Sequence, residues 1–285
     1  MRLVIVSGLS GSGKTVALHT LEDEDYYCVD NLLLGLLPEF VRQLTRPAER
    51  YYDHVAVGID ARSGVEEMHR FAGIIEEVRA TGLNPEIVYL QADVDTLIKR
   101  FSETRRKHPL TRHRLPLVDA INLEIELLAE IASHADLKID TSRTNVHQLR
   151  ELVRERVCAD GGSNLSLLFQ SFGYKHGVPA DSDYVFDVRC LPNPYWEPRL
   201  RGMTGETREV AEYLESHPEV EGMFDAICGF LEHWVPHFER ENRRYLTVSI
   251  GCTGGQHRSV YLADRLTARF RSRRGNVSTR HRELL

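Results

Sequence analysis

Eight residues near the start, Gly8-Leu9-Ser10-Gly11-Ser12-Gly13-Lys14-Thr15, fit the pattern G-x-x-x-x-G-K-[ST] in full. The chemistry of that spacing is the holding of a polyphosphate. Gly8, Gly11 and Gly13 let the backbone turn tightly and approach phosphate oxygens with no Cβ in the way. The freed N–H groups and the positive end of a following helix face the anion. Lys14 can bridge β- and γ-phosphates, and the Thr15 hydroxyl can ligate Mg²⁺. The pattern carries this meaning between a strand and a helix. Both are legible here: apolar Leu3-Val4-Ile5-Val6 precede the loop, and residues 15–22 read as helix.

Two carboxylates stand where such a site needs them. Asp60 closes the run His54-Val55-Ala56-Val57-Gly58-Ile59 and precedes Ala61-Arg62-Ser63. At a strand end it can hold the magnesium shell with Thr15; the alternative is a turn or helix-capping aspartate. Asp30, in Cys28-Val29-Asp30-Asn31, can orient an attacking hydroxyl or water, or make a local turn. With Lys14, these are the catalytic candidates. Arg100, Arg105 and Arg106 can complete the charge shell of a γ-phosphate as a lid. Their setting is similar to the strand–helix–lid segment of small P-loop kinases; the alternative is a solvated basic helix end.

A second informative loop is Gly251-Cys252-Thr253-Gly254-Gly255-Gln256-His257-Arg258-Ser259. It has glycines and donors for an anion but no Walker lysine. The spacing Cys252-(x)5-Arg258-Ser259 also matches the nucleophile loop of cysteine phosphatases. Three readings stand together: a site for a phosphorylated small molecule or RNA phosphate, a structural glycine turn, and phosphatase chemistry. Asp187, at the end of an earlier strand, is placed to face the same loop.

Positioning these groups calls for an α/β protein. Short apolar strands near residues 3–7, 26–29, 55–59, 87–90 and 137–139 alternate with helical patterns at 15–22, 65–80, 96–101, 117–131 and 146–157. That alternation predicts a parallel sheet flanked by helices, the fold of a P-loop NTPase. Residues 160–164, Asp-Gly-Gly-Ser-Asn, then mark a boundary. We expect a nucleotide-binding domain over 1–156, a linker over 157–163 and a second α/β domain over 164–285.

The bulk numbers agree. The 285 residues are 42% hydrophobic and carry a net charge of −6. No run of 18 apolar residues exists, so no membrane span is expected. The apolar start is too short for a signal peptide, which points to the cytoplasm. Five scattered cysteines without a C-x-x-C pair predict neither a disulfide framework nor a zinc site. Residues 240–285 hold 11 arginines against three acidic residues. A basic segment on an acidic body suggests a polyanion partner, RNA above all, or a solvated helix face.

Taken together, the loop 8–15, Tyr27-Cys28-Val29-Asp30-Asn31-Leu32, Thr104-Arg105-Arg106-x-His108-Pro109-Leu110, the run from Asp183 to Pro194 and the loop 251–260 resemble the RNase adapter (RapZ) family of bacterial P-loop proteins. The resemblance implies ATPase and GTPase activity with Mg²⁺, ATP lying on residues 8–15 and a GTP-associated segment on Asp60-Ala61-Arg62-Ser63. It implies a hexosamine phosphate site at Asp187, Cys252, Thr253, Gly254, His257 and Arg258. It also implies a homo-oligomer that binds small RNA for a ribonuclease. Where the RNA-binding relatives carry a lysine-rich tail, this sequence has Arg269, Arg271, Arg273, Arg274, Arg280 and Arg282. Tyr195 stands where they carry histidine. A small-molecule kinase is the remaining alternative.

Overall fold

The computed structural model describes all residues except 46–51, 105–106, 114, 159–164, 242 and 285, and the side chains of 112–113. The chain divides into two compact units, Met1–Cys158 and Ala159–Leu285.

The first unit holds β1 (Arg2–Gly8), α1 (Lys14–Asp23), β2 (Tyr27–Val29), α2 (Leu37–Leu44), β3 (His54–Gly58), α3 (Val65–Met68), α4 (Phe71–Arg79), β4 (Glu86–Gln91), α5 (Val94–Thr104), α6 (Leu117–Leu127), α7 (Ala129–Ser133), β5 (Leu137–Asp140) and α8 (Val146–Val153). The five strands form a wholly parallel sheet in the order β2-β3-β1-β4-β5. β1 is central, so both its faces must be apolar, and Leu3, Val4, Ile5 and Val6 are at most 1% exposed. That is why it reads as a continuous apolar run.

The second unit holds β6 (Ser166–Gly173), β7 (Tyr184–Asp187), α9 (Arg208–Glu215), α10 (Pro218–Arg240), β8 (Tyr245–Cys252), α11 (Arg258–Arg271) and β9 (Val277–His281). Its sheet is also parallel, in the order β7-β8-β6-β9. Phe169, Leu246, Val248, Ile250, Leu262 and Leu266 are fully buried at its core. The α/β class expected from the alternation, with a P-loop sheet first and a second α/β domain after it, is the architecture found.

Details differ from the sequence reading. The expected helix over 65–80 is broken after Met68, where Arg70, with φ −98° and ψ 5°, leaves helical geometry before α4. The apolar spacing runs on across the break, which hides it. The expected helix over 117–131 divides at the buried Leu128, with φ −91° and ψ 1°. Val157 and Cys158, placed in the linker, finish a π-turn that continues α8; residues 159–163 lie outside the described part. The sequence reading also missed β9, whose Ser278, Thr279, Arg280 and His281 carry no strand signal and pair on one edge only.

Candidate functional site

The loop 8–15 leaves the carboxyl end of the central strand, where open parallel sheets place their ligands. Gly8 has φ +140°, and a Cβ there would run into the backbone of Leu90 on β4. Gly13, with φ 107°, caps α1, and its Cβ would sit 2.5 Å from Leu149 Cδ2. The Lys14 ammonium donates to the carbonyls of Gly8 at 2.7 Å and Leu9 at 3.2 Å. Burial pulls its pKa down, while Glu124, Asp60 and Asp30 counter this and favour the charged form.

Around the loop lies a cavity of about 640 Å³. Ser10, Gly11, Ser12, Gly13, Lys14 and Thr15 form its floor; Asp30, Asn31, Asp60 and Arg62 line it, as do Arg100, Phe101, Val146 and Leu149. The structure thus gathers in one cavity the candidates drawn from four separate segments. Leu9 is buried beneath the loop, and Ala61 is buried too. The Ser63 hydroxyl accepts from the Leu34 amide. Arg105 and Arg106 lie outside the described residues.

The strand-end aspartates do different jobs. Asp93 accepts from the Thr96 amide at 2.7 Å, and Asp140 accepts from the Ser142 amide and hydroxyl. Asp60 accepts from the Arg62 amide at 2.9 Å and from its guanidinium at 2.5–3.1 Å. Burial raises its pKa, but the Arg62 hydrogen bonds and Lys14 outweigh that and hold it below the usual carboxylate value. Arg62 also reaches the Asn31 side chain. Asp30 is different: exposed to the cavity, it has no hydrogen-bond or ion-pair partner among the described residues. Its neighbour Asn31 takes φ 58°, an uncommon backbone state that often accompanies function.

The residues fit a nucleoside triphosphate with its magnesium ion. The glycine-shaped cradle, the Lys14 ammonium and the Thr15 hydroxyl at the cavity floor supply donors, charge and one oxygen ligand. With Asp60 engaged by Arg62, Asp30 is the freer carboxylate for a metal or an attacking water.

Sequence reading missed the supports of the loop. Glu124, fully buried on α6, accepts from the Ser10 amide at 2.8 Å and from its hydroxyl at 2.7 Å. His108, from the lid segment, lies 3.1 Å from the same carboxylate. The Thr141 hydroxyl reaches the Ser12 carbonyl at 2.8 Å, while Arg100 donates to the Gly11 and Thr141 carbonyls at 3.0 and 2.6 Å. The signal for Glu124 was present: it falls with Ile121 and Leu128 on one helical face, and both of those are apolar.

In the second unit, Cys252 ends β8 beside Asp187 at the end of β7. The Cys252 sulfur accepts from the Gly255 amide at 3.2 Å and lies 3.1 Å from the Ser259 hydroxyl. Arg258 donates to the carbonyls of Arg189 and Leu191, at 2.8 and 2.9 Å, and lies 3.4 Å from Thr253 Oγ1. His257 faces the Leu200 carbonyl at 3.2 Å, and burial pushes its pKa below the ordinary imidazole value. Asp187 is clamped by Arg189 at 2.6 Å. Gly254 lies near the Lys175 ammonium.

The arginines read as RNA contacts are engaged within the unit. Arg269 and Arg273 share Glu232, Arg274 pairs with Glu239, and Arg271 donates to the Val277 carbonyl. Arg280 and Arg282, with side chains 11% and 5% exposed, lie against Asp181. The five cysteines are all free.

Comparison with known proteins settles kinship. The RapZ-like N-terminal domain matches residues 1–161, and the RapZ C-terminal domain matches residues 165–285. The chain belongs to the RapZ family. A nucleotide-binding protein of Thioalkalivibrio sulfidiphilus is 64% identical over 285 residues, all of both chains. One of Nitrosococcus oceani is 55% identical over 284 residues, covering 100% of each chain to the nearest per cent. Among solved structures, a shikimate kinase from Bacteroides thetaiotaomicron aligns over 55% of this chain and 99% of its own. Its sequence identity is 16% and its TM-score 0.36. This RapZ-family chain carries the phosphate-loop pattern between the central strand of a parallel sheet and the helix that follows it. Among the described residues, no helix is long and apolar enough to cross a membrane.

Proposed function

We propose that the first unit binds Mg²⁺ with ATP or GTP on residues 8–15 and hydrolyses the γ-phosphate, as a regulatory switch. The observation that carries this reading is the free carboxylate of Asp30, which lines the same cavity as Lys14 and the loop amides. Magnesium, when bound, would neutralise phosphate charge, with Thr15 as the first residue to hold it. Lys14 and the loop amides bind the phosphate tail. Asp30 orients a water and accepts its proton. Asp60 fixes Arg62 at the cavity wall, and Arg100 together with the lid residues Arg105 and Arg106 adds positive charge. Phe101, Val146 and Leu149 offer apolar walls that suit a base. Release of inorganic phosphate from ATP and GTP, measured for the intact chain and for Asp30→Asn, tests the reading. Loss of turnover with nucleotide binding kept supports it; undiminished turnover removes Asp30 from its role.

The family resemblance supports a second part. The loop around Cys252, with Asp187, Thr253, Gly254, His257 and Arg258, binds a hexosamine phosphate, and the second unit presents small RNA to a ribonuclease from a cytoplasmic homo-oligomer. One observation favours RNA at the end of α11: Arg269 and Arg273 share the single carboxylate of Glu232, which leaves net positive charge there. RNA retention on a filter should then fall steeply as salt rises. No retention at low salt would end this part of the reading.

A further inference from the structure

The chemistry of Cys28, Cys158, Cys228 and Cys252 divides sharply. Burial pushes the thiols of Cys28, Cys158 and Cys228 up to about 11. Burial acts on Cys252 in the same sense, yet hydrogen bonds from Ser259 and the Gly255 amide, with the Arg258 charge, bring it below the ordinary thiol value. The cause is built into the loop. Cys252 ends a buried strand, Gly255 turns with φ +73° so that its N–H meets the sulfur, and the fully buried Ser259 presents its hydroxyl from the first turn of the 14-residue α11. A helix N-terminus and an arginine both favour an anion here. Arg258 is 4% exposed and pinned by two carbonyls, and its buried Nε has no partner among the described residues.

We propose that Cys252 is a nucleophile toward phosphorus, and that the second unit cleaves phosphate monoesters through a cysteinyl phosphate. This rests on the reading of the loop as a phosphate cradle. The loop amides and Arg258 hold the phosphoryl oxygens. The Cys252 thiolate attacks phosphorus; the S–P bond forms as the P–O bond to the leaving oxygen breaks. Asp187, at the end of the strand beside β8, is held ionised by Arg189 and lends no proton. In this scheme the leaving oxygen takes its proton from water, which restricts the substrates to esters of acidic leaving groups, aryl or acyl phosphates. Water then attacks phosphorus, the S–P bond breaks, inorganic phosphate departs and the proton passes to solvent. Ser259 stabilises the departing thiolate, so it speeds the second step.

The test uses the full chain with p-nitrophenyl phosphate, following p-nitrophenol release, and binding of inorganic phosphate by calorimetry. Turnover is expected in the wild type and should fall at least about 100-fold in Cys252→Ser, with phosphate still bound. In Ser259→Ala, acid quenching should trap a phosphoryl group on the peptide that carries Cys252. Absent turnover, or turnover that survives Cys252→Ser, overturns the nucleophile while leaving the cradle if phosphate binds. If phosphate does not bind at all, the cradle fails and the proposal with it.

Discussion

Ser10 and Glu124, 114 positions apart in the chain, meet in two buried hydrogen bonds: the Ser10 amide donates at 2.8 Å and its hydroxyl at 2.7 Å to one carboxylate. The phosphate loop is therefore held from behind by α6, and through His108 the lid segment is attached to the same carboxylate. Replacing Glu124 with alanine leaves a buried amide unpaired and a cavity behind the loop. The loss in unfolding free energy should be about 2–4 kcal/mol by urea denaturation, with weaker nucleotide binding.

The same contact has a pH signature. Burial pushes the Glu124 carboxyl up, but His108, Lys14 and the two Ser10 donors together hold it below the ordinary glutamate value. A carboxyl depressed in the folded state adds stability above its unfolded pKa and loses it as pH falls through the folded value. Stability measured from neutral pH down through the carboxylate range should show an acid limb that is shallower in Glu124→Gln.

Gly8 sits against the backbone of Leu90 with φ +140°. A side chain there meets both strain and a clash that no rotamer relieves. Gly8→Ala is expected to cost at least about 2 kcal/mol in thermal or chemical denaturation. A variant as stable as the wild type would contradict the close approach of β1 and β4 at this point.

On the proposed reading Asp30 serves the chemistry rather than the fold: it lines the cavity and has no hydrogen-bond or ion-pair partner among the described residues. Asp30→Asn should lower phosphate release by about 10²- to 10⁴-fold while affinity for the nucleotide changes little. Parallel losses in both would point to a folding role.

Much of this was legible in the sequence because it rests on local spacing. The loop 8–15 needs three glycines, a lysine and a hydroxyl in fixed register, and central strands buried on both faces read as apolar runs. The side chains that brace the loop from behind rest instead on contacts between distant segments. Glu124 looked like one more acidic residue on a helix, although its place on the buried stripe marked it. Arg269, Arg273 and Arg274 looked like free positive charge because Glu232 and Glu239 come earlier, on α10. Asp60 closes a strand as a metal-holding aspartate would, and it also caps the turn that follows through hydrogen bonds to Arg62, two residues on, a contact no spacing announces.

The central claim is that the loop amides and Lys14 hold a triphosphate tail. Calorimetric titration of the intact chain with a non-hydrolysable ATP or GTP analogue in the presence of Mg²⁺ measures it most directly. One saturable site per chain is expected, weakened on the order of 100-fold or more by Lys14→Ala. Equal affinity in that variant, or no heat of binding in the wild type, would contradict it.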